Sequence, residues 1–199
     1  MTGRPEHSLD PTYFERIYAD SADPWHFATS DYELRKYRRS LGVLPRRHYV
    51  SAFEIGCSIG VFTFMLAPLC GRLLAVDVVP AAIAQAQARC ARFSQVRFRR
   101  IRVPHELPAG RFDLIVASEV GYYLDRADLD RLAQFVCERL LPGGHLLLVH
   151  WTPEATDYPL TGDEVHRHVR VAVDPDLQLL AQSRRPTWRL DLFERRAAG

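Results

Sequence analysis

The chain has 199 residues, which is enough for one domain with a substantial core and too few for two comfortable ones. Apolar residues make up 47% and charged residues 25%, as in an ordinary globular protein. No apolar run reaches the roughly 18 residues of a membrane span, and the first residues lack the apolar core of a signal peptide. We therefore expect a cytoplasmic protein without a membrane span. The net charge of +2 is too small to argue for a nucleic-acid partner.

The four cysteines do not form a metal-binding pattern. There is no Cys-x-x-Cys pair, and no histidine is spaced to complete a zinc site. No cluster of carboxylates accompanies the candidate catalytic positions given below. We predict no bound metal and interpret the cysteines as buried, reduced thiols.

Short apolar runs alternate with helical patterns after a polar, aromatic-rich segment that ends near residue 45. The runs predict strands at residues 49–55, 73–77, 95–102, 112–118 and 144–151. The patterns between them predict helices at residues 61–69, 80–92 and 126–141. Strands that alternate with helices in this way predict a parallel α/β sheet built from right-handed crossovers.

The last part of the chain breaks this alternation. Residues 176–182 and 188–194 each alternate apolar with polar side chains, and the turn between them predicts a β-hairpin. Five parallel strands and a hairpin are the outline of the Rossmann-like class I methyltransferase fold. That fold is a seven-stranded, mostly parallel sheet in the order 3-2-1-4-5-7-6 with helices on both faces. We expect one structural domain, with an N-terminal helical cover at residues 1–45 and a methyltransferase domain at residues 46–199.

The third predicted strand would then lie at an edge of the sheet. Val96, Phe98 and Ile101 are predicted to point inward, and the arginines between them mostly outward. Charge on an edge strand prevents pairing with other chains. We prefer this interpretation to an anion-binding patch.

The main functional signal is the segment AFEIGCSIG, residues 52–60, which follows a strand and opens a helix. Gly56 and Gly60 allow a tight turn and the close approach of a ligand. The spacing differs from the Gly-x-Gly-x-x-Gly pattern of dinucleotide-binding proteins. Glu54 would repel a pyrophosphate, but it can attract the ammonium of the amino acid group of S-adenosylmethionine (SAM).

The second predicted strand ends at Asp77. An acid at this position can accept hydrogen bonds from both hydroxyls of a ribose. The alternative is that Asp77 caps the next helix, but Pro80 allows that helix to begin without it. The fourth strand ends at Ser118, Glu119 and Val120, and ligands of open α/β sheets bind beyond the carboxyl ends of strands.

These segments, together with LLPGGHLLL, resemble the class I SAM-dependent methyltransferases. The segments DPWHF, AFEIGCSIGVFT and SEVGYYL resemble, more narrowly, nodulation protein S and its bacterial relatives, over about residues 12–165. The resemblance implies an enzyme that uses SAM, releases S-adenosylhomocysteine (SAH), and N-methylates an amino sugar, the freed amine of a deacetylated chitin-like oligosaccharide.

The resemblance also implies which residues contact the cofactor. On the strands and the turns that follow them these are Glu54, Gly56, Cys57, Ser58, Gly60, Asp77, Val78, Ser118, Glu119 and Val120. In the N-terminal segment, the positions expected to cover the cofactor are Trp25, Tyr32 and Lys36. Lys36 would either meet the carboxylate of SAM or lie on a solvated helix face.

The residue after the third strand departs from the common methyltransferase pattern. An aspartate often holds the amino group of adenine there, whereas this chain has Arg102, which offers no acceptor. Arg102 would instead stack on the adenine ring, and the backbone groups of Arg102 and Val103 would contact its edge.

Three side chains are candidates for catalysis. Glu119 is the first choice for stabilising the cation that forms when a neutral amine is methylated. His150, at the end of the fifth strand, is either an acceptor for the departing proton or a hydrogen-bonded core histidine. Tyr123, with Tyr122, either packs internally or presents an aromatic face to a sugar or a cation.

Two other functions remain open at this point. The chain could be a small-molecule O- or N-methyltransferase of secondary metabolism, or a SAM-binding module without catalysis. We expect a monomer or a weak homodimer. Thr161 and Glu164 have the spacing of a capping box, which predicts a helix start there.

Overall fold

The computed structural model of the protein describes residues 3–197. The helices within them are α1 (Pro11–Asp20), α2 (Asp31–Gly42), α3 (Val61–Leu66), α4 (Pro80–Arg89), α5 (Arg126–Arg139) and α6 (Gly162–Val173). The strands are β1 (Ala52–Ile55), β2 (Leu73–Asp77), β3 (Val96–Arg100), β4 (Phe112–Ser118), β5 (Leu140–Trp151), β6 (Leu177–Arg184) and β7 (Trp188–Arg195).

The seven strands follow the order β3-β2-β1-β4-β5-β7-β6, which confirms the predicted order. The pairs β1–β2, β2–β3 and β4–β5 are parallel. β7 pairs antiparallel with both β5 and β6, as the predicted hairpin requires. The protein therefore has the Rossmann-like class I methyltransferase fold.

Several predicted boundaries differ from the structure, and the starts of two strands differ by three or more residues. β5 begins at Leu140, four residues before the predicted start, because Leu140 already pairs with Phe112. The Pro-Gly-Gly segment therefore lies inside the strand, where Gly143 has a φ of 68° and the register with β4 shifts. β1 is shorter than predicted, since Tyr49 forms only an isolated bridge with Cys70.

The chain divides into two compact units. The first unit is Asp10–Arg102, and the second consists of residues 3–9 and 103–197. The predicted division at residue 45 into a cover and a catalytic domain stays a prediction.

In the first unit, the buried strand β1 is followed by a turn that packs closely on α4. A Cβ atom on Gly60 would lie 2.8 Å from both Cα and Cβ of Ala86. This contact explains why α4 is rich in alanine on its buried face, where Ala82 and Ala86 are fully buried. The edge strand β3 has the predicted alternation: Val96 is buried, and the arginines at 97, 99 and 100 are exposed.

In the second unit, β4 is buried almost throughout, and β7 is buried at its centre. In the outer strand β6, exposed residues alternate with buried Leu177 and then with half-buried residues, as in an edge strand. The capping box at the start of α6 is confirmed, since Thr161 and Glu164 each accept the other's backbone N–H. Among residues 3–197, no helix combines the length and apolar character that a bilayer crossing requires.

Candidate cofactor and acceptor sites

The turn after β1 is built from left-handed backbone conformations. Gly56, Ser58 and Gly60 have φ values of 74°, 50° and 78°. The N–H groups of Gly56 and Cys57 both donate to the carbonyl of Val76 on β2, at 2.8 and 2.9 Å. The turn is therefore fixed to the neighbouring strand, and it begins α3 at Gly60.

Ser58 is the one residue of this turn that has a side chain and a left-handed conformation, which costs about 1 kcal/mol or more. Two contacts hold it in place. Its N–H donates to Oδ2 of Asp77 at 2.8 Å, and its hydroxyl is hydrogen bonded to the hydroxyl of Tyr18 on α1. Strain of this kind is typical of ligand-binding turns.

Asp77 joins the end of β2 to this turn. Its Oδ1 accepts the N–H of Val79 at 3.0 Å, while its Oδ2 accepts the N–H of Ser58. Burial raises the pKa of Asp77, and these backbone hydrogen bonds oppose the rise. A carboxylate has about four acceptor positions, so each oxygen retains capacity for a further donor. Among the described residues, α4 has its N-cap at Val79 and receives no side-chain cap, so the alternative role of Asp77 as a helix cap is wrong. The two backbone hydrogen bonds that Asp77 does accept leave room for the binding of a diol.

Glu54 lies on β1 and is 2% exposed. Its Oε2 is buried and has no hydrogen-bonding partner among residues 3–197. Burial raises its pKa from 4.5 to about 7; nearby Asp77 adds to the rise, and Thr63 opposes it. A buried carboxyl group with an unused oxygen is costly unless a ligand completes its hydrogen bonding.

Aromatic side chains pack beside the turn. Trp25 stacks on Phe27 and meets Tyr18 edge to face, with ring centroids 5.6 Å apart in both pairs. Trp25 and Val78 pack against a buried cluster that contains Tyr18 and Ile59. The thiol of Cys57 is buried, and burial raises its pKa well above the usual value. This agrees with a backbone role for that residue.

Two predicted cofactor residues make other contacts. Lys36 is 2% exposed, and its ammonium donates to Oε1 of Glu33 at 2.9 Å and lies over the ring of Tyr32. The alternative prediction that Lys36 lies on a solvated helix face is therefore wrong. Arg102 lies 3.7 Å from Oδ2 of Asp10. Roles for Tyr32, Lys36, Arg102 and Val103 toward SAM stay predictions.

In the second unit, Glu119 follows β4 directly, after Ser118 and before Val120. It has a left-handed φ of 59°, and its N–H donates to the carbonyl of Val149. Its Oε2 accepts two hydrogen bonds, from the hydroxyl of Tyr122 at 2.7 Å and the N–H of Trp151 at 2.8 Å. The carboxylate is thus held in one orientation by two elements.

Three tyrosines form a cluster next to Glu119. Tyr122 and Tyr158 are stacked, with ring centroids 5.2 Å apart and an interplanar angle of 6°. Tyr123 meets both rings edge to face. Burial raises the pKa of Tyr122 well above its usual value, and the Glu119 carboxylate adds to this. Tyr122 therefore stays a neutral donor.

His150 lies at the carboxyl end of β5 and is fully buried. Its Nε2 accepts the N–H of Gly121 at 3.0 Å, and its Nδ1 lies 3.1 Å from Nε2 of His166. Both ring nitrogens are engaged, as in a hydrogen-bonded core histidine. Sequence reasoning did not identify the contacts of Tyr18 with Ser58 or of His166 with Asp191. The only signal for the second is an aspartate between leucines at the centre of β7.

A family model described as nodulation protein S matches residues 14–148. The chain belongs to the nodulation protein S family. It is 42% identical to nodulation protein S of Bradyrhizobium diazoefficiens over 103 residues, which are 51% of this chain and 49% of that protein. It is 35% identical to nodulation protein S of Sinorhizobium fredii over 127 residues, 63% of this chain and 59% of that one. The chain thus spans about half to three fifths of these relatives.

A solved structure of the same family is also similar. It is the N-methyltransferase of Bradyrhizobium japonicum WM9 in complex with SAH, at a TM-score of 0.77 and 28% identity. The match covers 94% of this chain and 99% of that one. That member of the nodulation protein S family therefore shares the fold seen here.

Proposed function

We propose that this chain transfers a methyl group from SAM to an amine and releases SAH. The observation that carries the proposal is the group formed by the left-handed turn, Asp77 and the buried Glu54. Within it, the turn from Gly56 to Gly60 allows a ligand to approach backbone groups closely. Membership of the nodulation protein S family supports the same activity.

In this proposal the first unit binds SAM. Asp77 accepts the ribose hydroxyls, and Glu54 receives the ammonium, directly or through water, which would complete the hydrogen bonding of its Oε2. The backbone of Cys57 and Ser58 contacts the cofactor, and Trp25 covers it. Binding of a cation would also lower the pKa of Glu54, because an opposite charge favours the ionised carboxylate.

Methyl transfer is an in-line displacement at a sulfonium, so the protein mainly has to hold two reactants in position. Positioning of this kind can supply about 7 to 11 kcal/mol of the barrier. The attacking amine is neutral and becomes a cation, which a fixed carboxylate stabilises. We propose Glu119 for this role, because its Oε2 is already oriented by Tyr122 and Trp151.

Tyr123 and Tyr158 present aromatic rings in the same cluster, and such rings stabilise cations and stack on sugars. We propose that they contact the acceptor. His150 has both ring nitrogens engaged, so we propose a supporting role for it rather than proton removal.

The proposed acceptor is the amine of a deacetylated oligosaccharide. The resemblance of DPWHF and SEVGYYL to nodulation protein S supports this substrate class. The proposal includes a reaction in the cytoplasm by a monomer or a weak homodimer.

Calorimetry and mass spectrometry test the proposal together. SAM and SAH should both bind, and NAD should not. With SAM present, a deacetylated chitin oligosaccharide should gain 14 Da per methyl group transferred, and its N-acetylated form should not. Equal rates on the deacetylated and the N-acetylated oligosaccharide would rule out the free amine of the sugar as the methyl acceptor. Tight SAM binding without transfer to any of a panel of amines would favour a binding module, and no binding of SAM or SAH would end the proposal.

A further inference from the structure

Three side chains form a buried row through the second unit. Asp191 on β7, His166 on α6 and His150 on β5 are all fully buried. Nδ1 of His166 lies 2.8 Å from Oδ2 of Asp191, at contact distance although not in ideal hydrogen-bond alignment. Nε2 of His166 lies 3.1 Å from Nδ1 of His150, and Nε2 of His150 accepts the N–H of Gly121. The row ends at the loop that carries Glu119.

The backbone N–H of Gly121, at one end of the row, determines which ring nitrogen of each histidine carries a proton. The backbone N–H of Gly121 can only donate, so Nε2 of His150 must be unprotonated. A neutral His150 then carries its proton on Nδ1 and donates to Nε2 of His166. His166 in turn carries its proton on Nδ1, facing the Asp191 carboxylate. Reversing either ring would place two donors, or two acceptors, against each other.

Asp191 can hold this arrangement because other donors keep it ionised. Arg189 donates to both of its oxygens, at 2.8 and 3.2 Å, and Gln182 donates to Oδ1 at 3.1 Å. These contacts and His166 hold the pKa of Asp191 below its usual value despite burial. Burial lowers the pKa of His166, and Arg189 adds to this, while Asp191 and Asp163 oppose it. The row is therefore a neutral histidine pair on an ionised aspartate.

The loop that contains Glu119 and Gly121 is packed tightly against His150 and α6. A Cβ atom on Gly121 would lie 2.5 Å from Cγ1 of Val165 and 2.9 Å from Nε2 of His150. Glu119, two residues earlier, has the left-handed φ of 59°. The N–H of Gly121 is thus a fixed point for a loop under backbone strain.

We propose that Asp191 and His166 are positioning residues, which act through His150 and Gly121 to hold the Glu119 carboxylate where the acceptor amine needs it. The catalytic part of this inference rests on the proposed function. Serine proteases offer a precedent, because a buried aspartate there holds the catalytic histidine in the correct tautomer. An asparagine in its place yields the wrong tautomer and a large loss of activity.

Two variants and a control test the proposal. Asp191→Asn keeps the size of the side chain but removes the negative charge and one of the two acceptor oxygens that favour a proton on Nδ1 of His166. An amide nitrogen turned toward His166 donates to Nδ1, which reverses both rings and sets a donor against the N–H of Gly121. His166→Gln keeps an acceptor for His150 and a donor for Asp191, so it should preserve the row better. His168→Gln, on the same helix but bonded to Asp130 at the surface, is the matched control.

Ring nitrogen chemical shifts and hydrogen exchange give readouts that do not need activity. In the unmodified protein, both His150 and His166 should be neutral with the proton on Nδ1. In Asp191→Asn, exchange in a peptide covering residues 118–123 should speed up by about 10-fold or more, as expected when one hydrogen bond is lost. A proton on Nε2 of His150 in the unmodified protein would overturn the proposal even if Asp191→Asn does not fold.

Kinetics test the catalytic part. In Asp191→Asn, kcat should fall by about 10- to 100-fold, as expected for the loss of one hydrogen bond that holds a charged group, with the Kd for SAM changed less than about 2-fold. His166→Gln should lose less, and the His168→Gln control should lose nothing. Unchanged kcat in Asp191→Asn would refute the positioning role. Failure of the unmodified protein to bind SAM or transfer methyl groups would instead refute the proposed function, and the ring tautomers would still decide whether the row holds Gly121.

Discussion

The hydroxyl of Tyr122 donates to Oε2 of Glu119 at 2.7 Å, three residues away along a strained loop. We predict that Tyr122→Phe lowers kcat for amine methylation by about 10- to 100-fold, because a hydrogen bond to a charged group contributes about 1.5 to 3 kcal/mol. The Kd for SAM should stay the same. Steady-state kinetics and calorimetry measure the two quantities.

Tyr158→Phe is the comparison variant for this prediction and should lose less activity than Tyr122→Phe, because it keeps the ring that is proposed to contact the acceptor. It keeps the stacked ring and leaves the bond between Tyr122 and Glu119 intact. An equal loss in both variants would mean that general packing of the tyrosine cluster, and not the orientation of Glu119, limits the reaction.

Asp77 should be required for binding of the cofactor. We predict that Asp77→Ala weakens SAM binding by about 1 to 3 kcal/mol, the range for polar groups left unpaired. It also releases the N–H groups of Ser58 and Val79, so thermal stability should fall as well. Calorimetric titration with SAM measures the effect, and Asp20→Ala, at an exposed position at the end of α1, is the control. Full affinity in Asp77→Ala would contradict the ribose role.

Glu54 should make the cofactor-free protein less stable at neutral and alkaline pH than at about pH 4.5. Its pKa rises from 4.5 to about 7 on folding. The folded state therefore holds a proton that the unfolded state has lost, so stability falls as the pH rises from about 4.5 to about 7 and stays lower above that. The loss reaches up to about 3 kcal/mol. We predict that Glu54→Gln removes this dependence and is the more stable form at pH 8.

Urea denaturation at pH 5 and at pH 8 measures this difference, with Glu6→Gln as a surface control. The same variant should bind SAM more weakly, since an amide cannot neutralise the ammonium. Identical pH dependence in Glu54→Gln and the unmodified protein would show that another group causes the loss of stability.

The turn after β1 should tolerate no side chain at Gly60. Alanine at Gly60 and at Gly110 has to adopt a positive φ, 78° and 104° respectively, so both variants lose stability through backbone strain. Only Gly60 has a neighbour, Ala86, at 2.8 Å from the added Cβ. We predict that Gly60→Ala costs at least about 2 kcal/mol more than Gly110→Ala. Comparable losses in thermal denaturation would show that α4 can move away without cost.

The features that follow from local pattern were predictable. Alternation in the last two strands predicts the hairpin and with it the strand order, and the turn chemistry of Gly56 and Gly60 identifies the candidate cofactor turn. Asp77 could be identified because strand ends can be predicted from the apolar run that precedes them. The early start of β5 was missed because proline and glycines indicate a turn, and pairing with Phe112 outweighs that local preference.

The contacts that depend on packing were not predictable. Tyr18 and Ser58 are 40 residues apart, and no periodicity connects them. Lys36 has the charge of a surface residue, yet it is buried because Glu33 lies one turn before it and forms an ion pair with it. The role of Asp191 could not be predicted without knowing which faces of β7 are covered, since an aspartate buried in an apolar strand is unfavourable unless it is paired.

The two hydrogen bonds from the backbone to Asp77 bear on attempts to engineer this protein. A designer who wanted it to accept a synthetic cofactor with an altered ribose would change the residue that meets the sugar. In the proposed binding mode that residue is Asp77, and enlarging the space there would also release the N–H groups of Ser58 and Val79, which would change the turn proposed to contact the rest of the cofactor.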